Sequence, residues 1–266
     1  MNIRPTGGST PLLRVGPVAQ LRAGRLPRRL LQLFVGLSLY GLSMAMMIRG
    51  ALGLNPWDVL HQGVTRHIPL SFGAVVAVVG VLVLLAWIPL RQKPGLGTFA
   101  NVAVLAMAVD VGLATIAPPE HLSSRSALLV AGIVLNGIAG ALYIGAQFGP
   151  GPRDGLMTGL AERTGASIRL VRTAIEISVL GVGFLLGGTV GIGTVAYAVG
   201  IGPLTQFFLR YTVVDIRPAS DRAAAVDAAE PRGHVGVPAG AVRSVEISAA
   251  PRPRRLRLGG SLRSDR

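Results

Sequence analysis

The chain contains no cysteine and few charged residues. Among its 266 residues cysteine is absent, and Asp, Glu, Lys and Arg together make up 14%. The lack of cysteine excludes disulfides, thiolate metal ligands and thiol nucleophiles. A soluble domain carries about 25% charged residues, whereas here the mean hydropathy is +0.56. The deficit of charge lies in long apolar runs, which predict membrane-spanning helices.

Lysine is nearly absent as well, since Lys93 is the only one and the net charge of +14 comes from arginine. A basic chain can bind nucleic acid, but these arginines lie outside the apolar runs and are not interleaved with aromatic residues. No nucleic-acid-binding signature is present. The arginines are better interpreted as charges that set membrane orientation, with the lipid bilayer as the partner.

Six apolar segments are long enough to cross a bilayer core of about 30 Å. They predict an all-α membrane protein with six transmembrane helices. The segments are Leu30–Ile48, Phe72–Leu90, Thr98–Ala117, Ser126–Phe148, Leu170–Gly188 and Gly191–Tyr211. The fifth segment is the shortest and the most polar of the six.

The distribution of basic residues predicts that both termini are cytoplasmic. In the six-span arrangement only Arg49, Arg66 and Arg125 fall outside, and the other 23 of the 26 Lys and Arg residues fall inside. Positive charge is retained on the cytoplasmic side of membrane proteins. Residues 1–29 and 213–266 are rich in Arg, Ala, Pro and Gly, and predict a basic cytoplasmic N-terminal tail and a disordered basic C-terminal tail.

The two halves of the chain resemble each other. With an offset of 96 residues and no gap, segment 36–106 matches segment 132–202 at 19 of 71 positions. Many of the matches are Gly, Pro, Asp, Ser and Thr in the linkers, which shared apolar composition does not explain. Two three-helix repeats, 30–117 and 126–212, are therefore predicted. An odd number of crossings in each repeat makes them inverted, as in many secondary transporters.

Both repeats carry a Pro-x-Asp motif after the first span, at Pro56–Asp58 and Pro152–Asp154. Proline suits the first turn of a helix, and a carboxylate there meets the positive end of the helix dipole. Asn55 is a good N-cap. One interpretation is a capped interfacial helix, and the other is a re-entrant half-helix that lines a binding cavity. The second makes Asn55, Trp57, Asp58, Arg153 and Asp154 candidate substrate-binding residues.

These linkers also carry a family resemblance. The motifs are GLNPWDVLHQG (53–63), WIPLRQKPGLGT (87–98), GPGPRDGLMTGL (149–160) and SIRLVR (167–172). The chain resembles the YczE/YyaS/YitT family of bacterial integral membrane proteins over residues 30–212. The resemblance implies a multi-pass protein of the bacterial cell membrane, and it implies no substrate.

The predicted spans contain the ionisable residues Asp110, Arg172 and Glu176. Such residues are costly in hydrocarbon and often functional. Asp110 has no basic partner in the neighbouring spans, so a substrate-binding and a structural role are equally consistent with the sequence. Arg172 and Glu176 are one helical turn apart, which predicts a structural ion pair.

No catalytic set, nucleotide-binding motif, cofactor signature or metal-ligand spacing is recognisable, so no enzyme activity, cofactor or metal site is predicted. Two functions remain. A small-molecule transporter or permease agrees with the inverted repeat and Asp110. A non-transporting accessory or scaffold protein would use the basic cytoplasmic surface.

Overall fold

Eight helices make up the part of the chain that the computed structural model describes, which is residues 20–21 and 24–216. This region contains no strand. In chain order the helices are α1 (Leu26–Gly50), α2 (Pro56–Thr65), α3 (Phe72–Leu90), α4 (Leu96–Thr115), α5 (Leu122–Gly145), α6 (Pro152–Thr164), α7 (Ile168–Leu185) and α8 (Ile192–Thr212). The all-α class predicted from the sequence is confirmed.

Local sequence signals fix where these helices begin. The prolines of the two Pro-x-Asp motifs start α2 and α6. Ser71 and Ser167 precede α3 and α7, and each serine hydroxyl oxygen accepts a hydrogen bond from a backbone N–H of the first turn. These hydroxyls satisfy donors that the helix itself leaves unpaired.

The helix starts recur along the chain with the offset found in the sequence. Helices α1 to α4 begin at residues 26, 56, 72 and 96, and α5 to α8 begin at 122, 152, 168 and 192. Each start in the second group equals the corresponding start in the first plus 96. The linker motifs therefore occupy the same place in both halves.

Helices α1 and α5 cross each other at close range through one glycine from each. A Cβ atom on Gly36 would lie 2.8 Å from the backbone nitrogen of Tyr143, and one on Gly132 would lie 2.8 Å from the side chain of Met47. Residues 36 and 132 differ by 96, and so do residues 47 and 143. Small residues allow this approach between membrane helices.

Arg29 ties the start of α1 to the end of α5. It is fully buried, and its Nε and Nη2 atoms donate to the carbonyl oxygens of Ala146 and Gln147, both at 2.9 Å. These carbonyls lie at the end of a helix, where no intrahelical donor remains and the dipole is negative. A buried guanidinium is therefore well suited to this place.

Arg125 makes the corresponding contact in the other direction. Its Nε atom donates to the Gly50 carbonyl at 2.9 Å, and its Nη2 atom donates to the Ala51 carbonyl at 2.8 Å. Arg125 follows Arg29 by 96 residues, and the acceptors are shifted by the same number. Each half thus supplies the cation that satisfies the end of a helix in the other half.

Backbone hydrogen bonds join the halves in the same reciprocal way. The Gly97 N–H donates to the Phe148 carbonyl at 2.9 Å, and the Gly193 N–H donates to the Leu52 carbonyl at 2.8 Å. The residue after each of these acceptors is a glycine, Gly53 with a φ of 116° and Gly149 with a φ of 100°. Both angles lie in the left-handed region that favours glycine.

The two short helices pack against the opposite halves. Helix α2 contacts α7, and helix α6 contacts α3. On α3, Trp87 covers Gly155 and donates its indole N–H to the Pro152 carbonyl at 2.9 Å. On α7, Gly183 lies against Val59 of α2. In the contact of α3 with α6 the long helix supplies the large side chain, Trp87, and the short helix supplies Gly155. In the contact of α7 with α2 the long helix supplies Gly183 and the short helix supplies the larger side chain, Val59.

Five of the described helices, α1, α3, α4, α5 and α8, are long and apolar enough to cross a membrane. Helix α7 is not among them, because its 18 residues include three charged ones, Arg169, Arg172 and Glu176. The multi-pass prediction holds for five of the six segments on length and composition.

The helix ends differ from the predicted spans at several places. Helix α1 begins at Leu26 rather than Leu30, so the N-terminal tail is shorter than predicted. Residues 213–216, assigned to the C-terminal tail, pack onto the helices: Val214 is buried and its N–H donates to the Gly145 carbonyl at 3.0 Å. The predictions for residues 1–19, 22–23 and 217–266 lie outside the described residues.

The Arg29 contact gives a stability prediction. Arg29→Ala leaves buried carbonyls without a donor, and each loss of this kind costs about 1–3 kcal/mol. We expect the melting temperature of the detergent-purified protein to fall by about 5–10 °C. The exposed neighbour Arg28 provides the control, because Arg28→Ala should change the melting temperature by less than about 2 °C. Equal effects of the two substitutions would contradict the role assigned to Arg29.

Candidate functional site

A cavity of about 270 Å³ lies between the two halves, and we call it the large cavity. Residues of six helices line it: α1, α2, α5, α6, α7 and α8. Four predicted site residues, Asn55, Trp57, Arg153 and Asp154, are on its walls. The structure therefore brings together the starts of the two short helices, as the re-entrant interpretation of the linkers requires.

The start of α2 forms one side of this site. Asn55 accepts a hydrogen bond from the Asp58 backbone N–H at 3.0 Å and donates its amide N–H to the Asp58 carboxylate. Asp58 also lies 3.3 Å from the His61 imidazole, and all three residues are buried. The predicted site residue Asp58 is thus behind the cavity wall, where its hydrogen bonds hold the first turn of α2 in place.

The start of α6 forms the facing side. The Arg153 guanidinium lies over the Trp57 ring at 4.8 Å and is 4.0 Å from Asp58. A cation over an aromatic ring is attracted by the electrons of its face. Asp154 follows and is exposed, with no ion pair among the described residues. The two short helices therefore present different groups at equivalent positions, an indole on α2 and a guanidinium on α6.

The ion pair predicted on α7 is formed, and it borders the large cavity. The Arg172 Nε atom lies 2.8 Å from a Glu176 carboxylate oxygen, and the two side chains are 53% and 31% exposed. Both residues line the large cavity. The sequence predicted the pairing from the spacing, but it gave no sign that the pair lies on the wall of a cavity.

Tyrosines on three helices complete the wall, and sequence reasoning did not select them. Tyr40, Tyr143 and Tyr197 line the cavity. The Tyr197 hydroxyl donates to the Asn136 side chain at 3.0 Å, and the Asn136 amide donates to the Ser43 hydroxyl at 2.8 Å. A signal was present in the repeat, because Tyr40 and Asn136 differ by 96 residues, as do Asn101 and Tyr197.

A second, much smaller cavity of about 20 Å³ has a related lining. Eleven residues line it, and eight of them have a counterpart 96 residues away that lines the large cavity. Where Val76 and Gly80 border the small cavity, Arg172 and Glu176 border the large one. The two cavities thus occupy equivalent places in the two halves but differ in volume more than tenfold.

Trp57 and Arg153 border both cavities. These two residues also differ by 96 in number, and they stack on each other. The indole N–H of Trp57 is buried and has no hydrogen-bond acceptor among the described residues. The stacked pair therefore separates the two cavities at the place where the two halves meet.

Asp110 lies elsewhere. Its carboxylate accepts hydrogen bonds from the Ser71 hydroxyl at 2.5 Å and from the Gly73 backbone N–H at 2.7 Å. Asp110 does not line either cavity, and the structure does not bring it into contact with Asp58 or Asp154. The partner missing from the sequence analysis is the start of α3, whose free N–H groups and positive dipole favour a carboxylate. This geometry corresponds to the structural alternative for Asp110.

The described residues contain no group of three His, Cys, Asp or Glu side chains that could hold a metal ion.

The Asp110 geometry gives a second prediction. Asp110→Asn keeps an oxygen to accept from the Gly73 N–H, so we expect a melting temperature within about 2 °C of the parent. Asp110→Ala removes both acceptors and should lower the melting temperature by about 4–8 °C. If Asp110→Asn keeps this stability but abolishes ligand binding, the structural assignment is wrong.

Comparison with known proteins shows the family to which the chain belongs and several bacterial relatives, one of which is named a membrane protein. Residues 27–210 match the model of DUF6198, a family of unknown function. An uncharacterized protein of Haemophilus influenzae is 42% identical over 177 residues, which is 66% of this chain and 81% of the relative. The uncharacterized membrane protein YczE of Bacillus subtilis is 29% identical over 201 residues, 74% of this chain and 94% of that protein.

The uncharacterized protein YyaS of Bacillus subtilis is 26% identical over 179 residues, or 66% of this chain and 89% of its own length. No solved structure matches the chain significantly. The resemblance to YczE and YyaS predicted from the linker motifs is confirmed. The chain is a multi-pass membrane protein that belongs to the DUF6198 family.

Proposed function

We propose that this protein is a secondary transporter of a small molecule, built from two inverted three-helix repeats with six spans. The proposal includes a location in the bacterial cell membrane and cytoplasmic termini. The observation that carries it is the pair of cavities with related linings and unequal volumes. Inverted repeats in other transporters bind their substrate between the repeats, near the middle of the membrane.

The path of the chain supports α7 as the sixth span. Helix α5 ends beside the start of α1, where Arg29 contacts Ala146. Helix α8 begins beside the end of α1, where Gly193 contacts Leu52. Between α5 and α8 the chain must therefore pass from one side of the membrane to the other. Helix α6 has 13 residues, too few for this crossing, whereas the 18 residues of α7 extend about 27 Å.

Helices α3 and α7 also run in opposite directions between the same two short helices. Helix α3 follows α2 and reaches α6, where the Pro89 carbonyl accepts from Arg163 at 2.7 Å. Helix α7 follows α6 and reaches α2, where the Thr189 N–H donates to the Gln62 side chain at 2.7 Å. Opposite directions at equivalent positions are the expected consequence of inversion.

Alternating access follows from the unequal cavities. In an exchange of the two halves, the small cavity would open while the large one closes, and the Trp57–Arg153 pair would face each in turn. Most residues that line the small cavity already have a counterpart, 96 residues away in the chain, that lines the large one. The two states should be similar in free energy, because contacts that one half makes in the first state are made by the equivalent residues of the other half in the second.

The basic residues support an orientation in which the large cavity opens to the cytoplasm. The cavity is lined by the second half of α5, the first half of α7 and the middle of α8. With cytoplasmic termini, the lining segments of α5 and α7 lie toward the inner surface. The smaller cavity would then lie toward the outer surface.

A topology experiment uses the absence of cysteine, because a single introduced cysteine has no background. Lys93 and Thr189 differ by 96 and lie between the third and fourth helices of each half. Lys93→Cys should react with a membrane-impermeant maleimide only from the cytoplasmic side, and Thr189→Cys only from the other side. Reaction of both from one side would refute the inverted repeat.

A second experiment addresses alternating access. Ile201 lines the large cavity and Leu105 is its counterpart at the small one. In right-side-out and inside-out vesicles, we expect Ile201→Cys to react from inside and Leu105→Cys from outside. A bulky maleimide on Ile201→Cys should hold the large cavity open and reduce labelling of Leu105→Cys at least about tenfold, since closing would bury the adduct.

Glu120 is exposed and lies in a loop, so Glu120→Cys is the matched control. Labelling of Glu120→Cys should not depend on the Ile201→Cys adduct. If Leu105→Cys never reacts, or reacts equally with and without the adduct, the protein does not alternate. That result would favour the accessory or scaffold function instead.

A further inference from the structure

We infer that the large cavity binds a small zwitterion, a molecule that carries both an ammonium and a carboxylate group, such as a free amino acid. This inference rests on the proposed function, because the cavity concerned is the one assigned to the transported substrate. The charges on its wall, the two charged groups that are not held in a close ion pair and its size each contribute to the assignment.

The formal charges on the cavity wall cancel. The ionisable lining residues, tyrosines aside, are two arginines and two carboxylates: Arg153, Arg172, Asp154 and Glu176. Together these four groups carry no net formal charge. A singly charged ligand would leave one of these groups facing uncompensated charge in a region of low dielectric constant, whereas a zwitterion brings one charge of each sign.

Asp154 is the group suited to an ammonium. It is exposed and forms no ion pair with a described residue, and one of its oxygens lies beside Gly151 at the start of α6. The aromatic rings of Tyr40, Tyr143 and Tyr197 line the same cavity. Aromatic faces attract ammonium groups, and a carboxylate adds a charge-assisted hydrogen bond.

Arg153 is the group suited to a carboxylate. Its side chain is 24% exposed, and its charged partner Asp58 is 4.0 Å away, beyond hydrogen-bond distance. The contact with the Trp57 ring positions the guanidinium group and does not use its N–H donors as hydrogen-bond donors. A guanidinium binds carboxylates through two parallel hydrogen bonds, so an oriented one is a ready site for this group.

Arg172 and Glu176 are less suited to binding either group, because they are bonded to each other at 2.8 Å. This leaves one acceptor, Asp154, and one donor, Arg153, on the wall of the same cavity. A small ligand that carries one charge of each sign can therefore meet both groups.

The volume of about 270 Å³ is near the lower end of small-molecule sites, which span about 300–1,000 Å³. It can hold a single amino acid and excludes large peptides. Apolar residues including Met157 and Ile201 lie on the same wall. They offer a surface for the apolar side chain of such a ligand.

The test compares three matched ligand sets on the purified protein, using thermal stabilisation and calorimetric titration. Leucine, methionine and phenylalanine carry both charges, their amides carry only the ammonium, and their N-acetyl derivatives carry only the carboxylate. At least one free amino acid should stabilise the protein and bind about tenfold or more tightly than both of its blocked forms. Equal or tighter binding of an amide or an acetyl derivative would overturn the inference, and so would no binding by any of the nine compounds.

Substitutions assign the two charges. Asp154→Asn should weaken binding of the free amino acid about tenfold or more by removing the ammonium partner, and Arg153→Gln should do the same by removing the carboxylate partner. Arg169→Gln is the matched control, because Arg169 is an exposed arginine on α7 that does not line the cavity. Binding that is unchanged in both folded variants would contradict the site.

The ligand test and the cysteine experiments test separate claims, so a negative result in one does not decide the other. The comparison on the unmodified protein stands even if Asp154→Asn does not fold. Labelling of Ile201→Cys and Leu105→Cys needs no ligand, so alternation without amino-acid binding would reject the ligand class alone. Amino-acid binding without alternation would reject transport and keep the site.

Discussion

The structure depends on the need to satisfy the backbone groups at the helix ends. Six of the eight described helices are long and the other two are short, and every helix end leaves carbonyl or N–H groups that hydrocarbon cannot solvate. Arg29 satisfies the end of α5 and Arg125 the end of α1. Each half is thus completed by the other, and neither half has the cations that its own α1 or α5 end requires.

This reciprocity also explains why a cavity remains at the centre. The helix ends are tied together at the periphery, through Arg29, Arg125 and the hydrogen bonds of Gly97 and Gly193. The short helices instead begin at the centre, where the starts of α2 and α6 face each other and share no hydrogen bond between described residues. Arg153 lies over the Trp57 ring and 4.0 Å from Asp58, and both contacts are weaker and less directional than a backbone hydrogen bond. The starts of α2 and α6 are therefore joined by weaker interactions than the hydrogen-bonded helix ends, so a rearrangement would cost less there.

Much of this could be predicted from the sequence, because helix starts depend on local chemistry. Pro56, Ser71 and their copies mark helix starts that the structure places with the same offset of 96. What could not be predicted were partners brought together only by the fold. Asp110 is bonded to the start of α3, a backbone partner that no side-chain pattern reveals. Arg29 was counted as a charge that sets orientation, although its environment is a buried helix end.

The differences between the halves determine what the proposed transporter distinguishes. Positions 76 and 80 are Val and Gly at the small cavity, and the equivalent positions carry Arg172 and Glu176 at the large one. A polar ligand therefore meets a more polar wall in the state with the large cavity open. A ligand shifts an equilibrium only by its difference in affinity for the two states. In the proposed transporter, this polar wall would therefore favour the state with the large cavity open when substrate is bound.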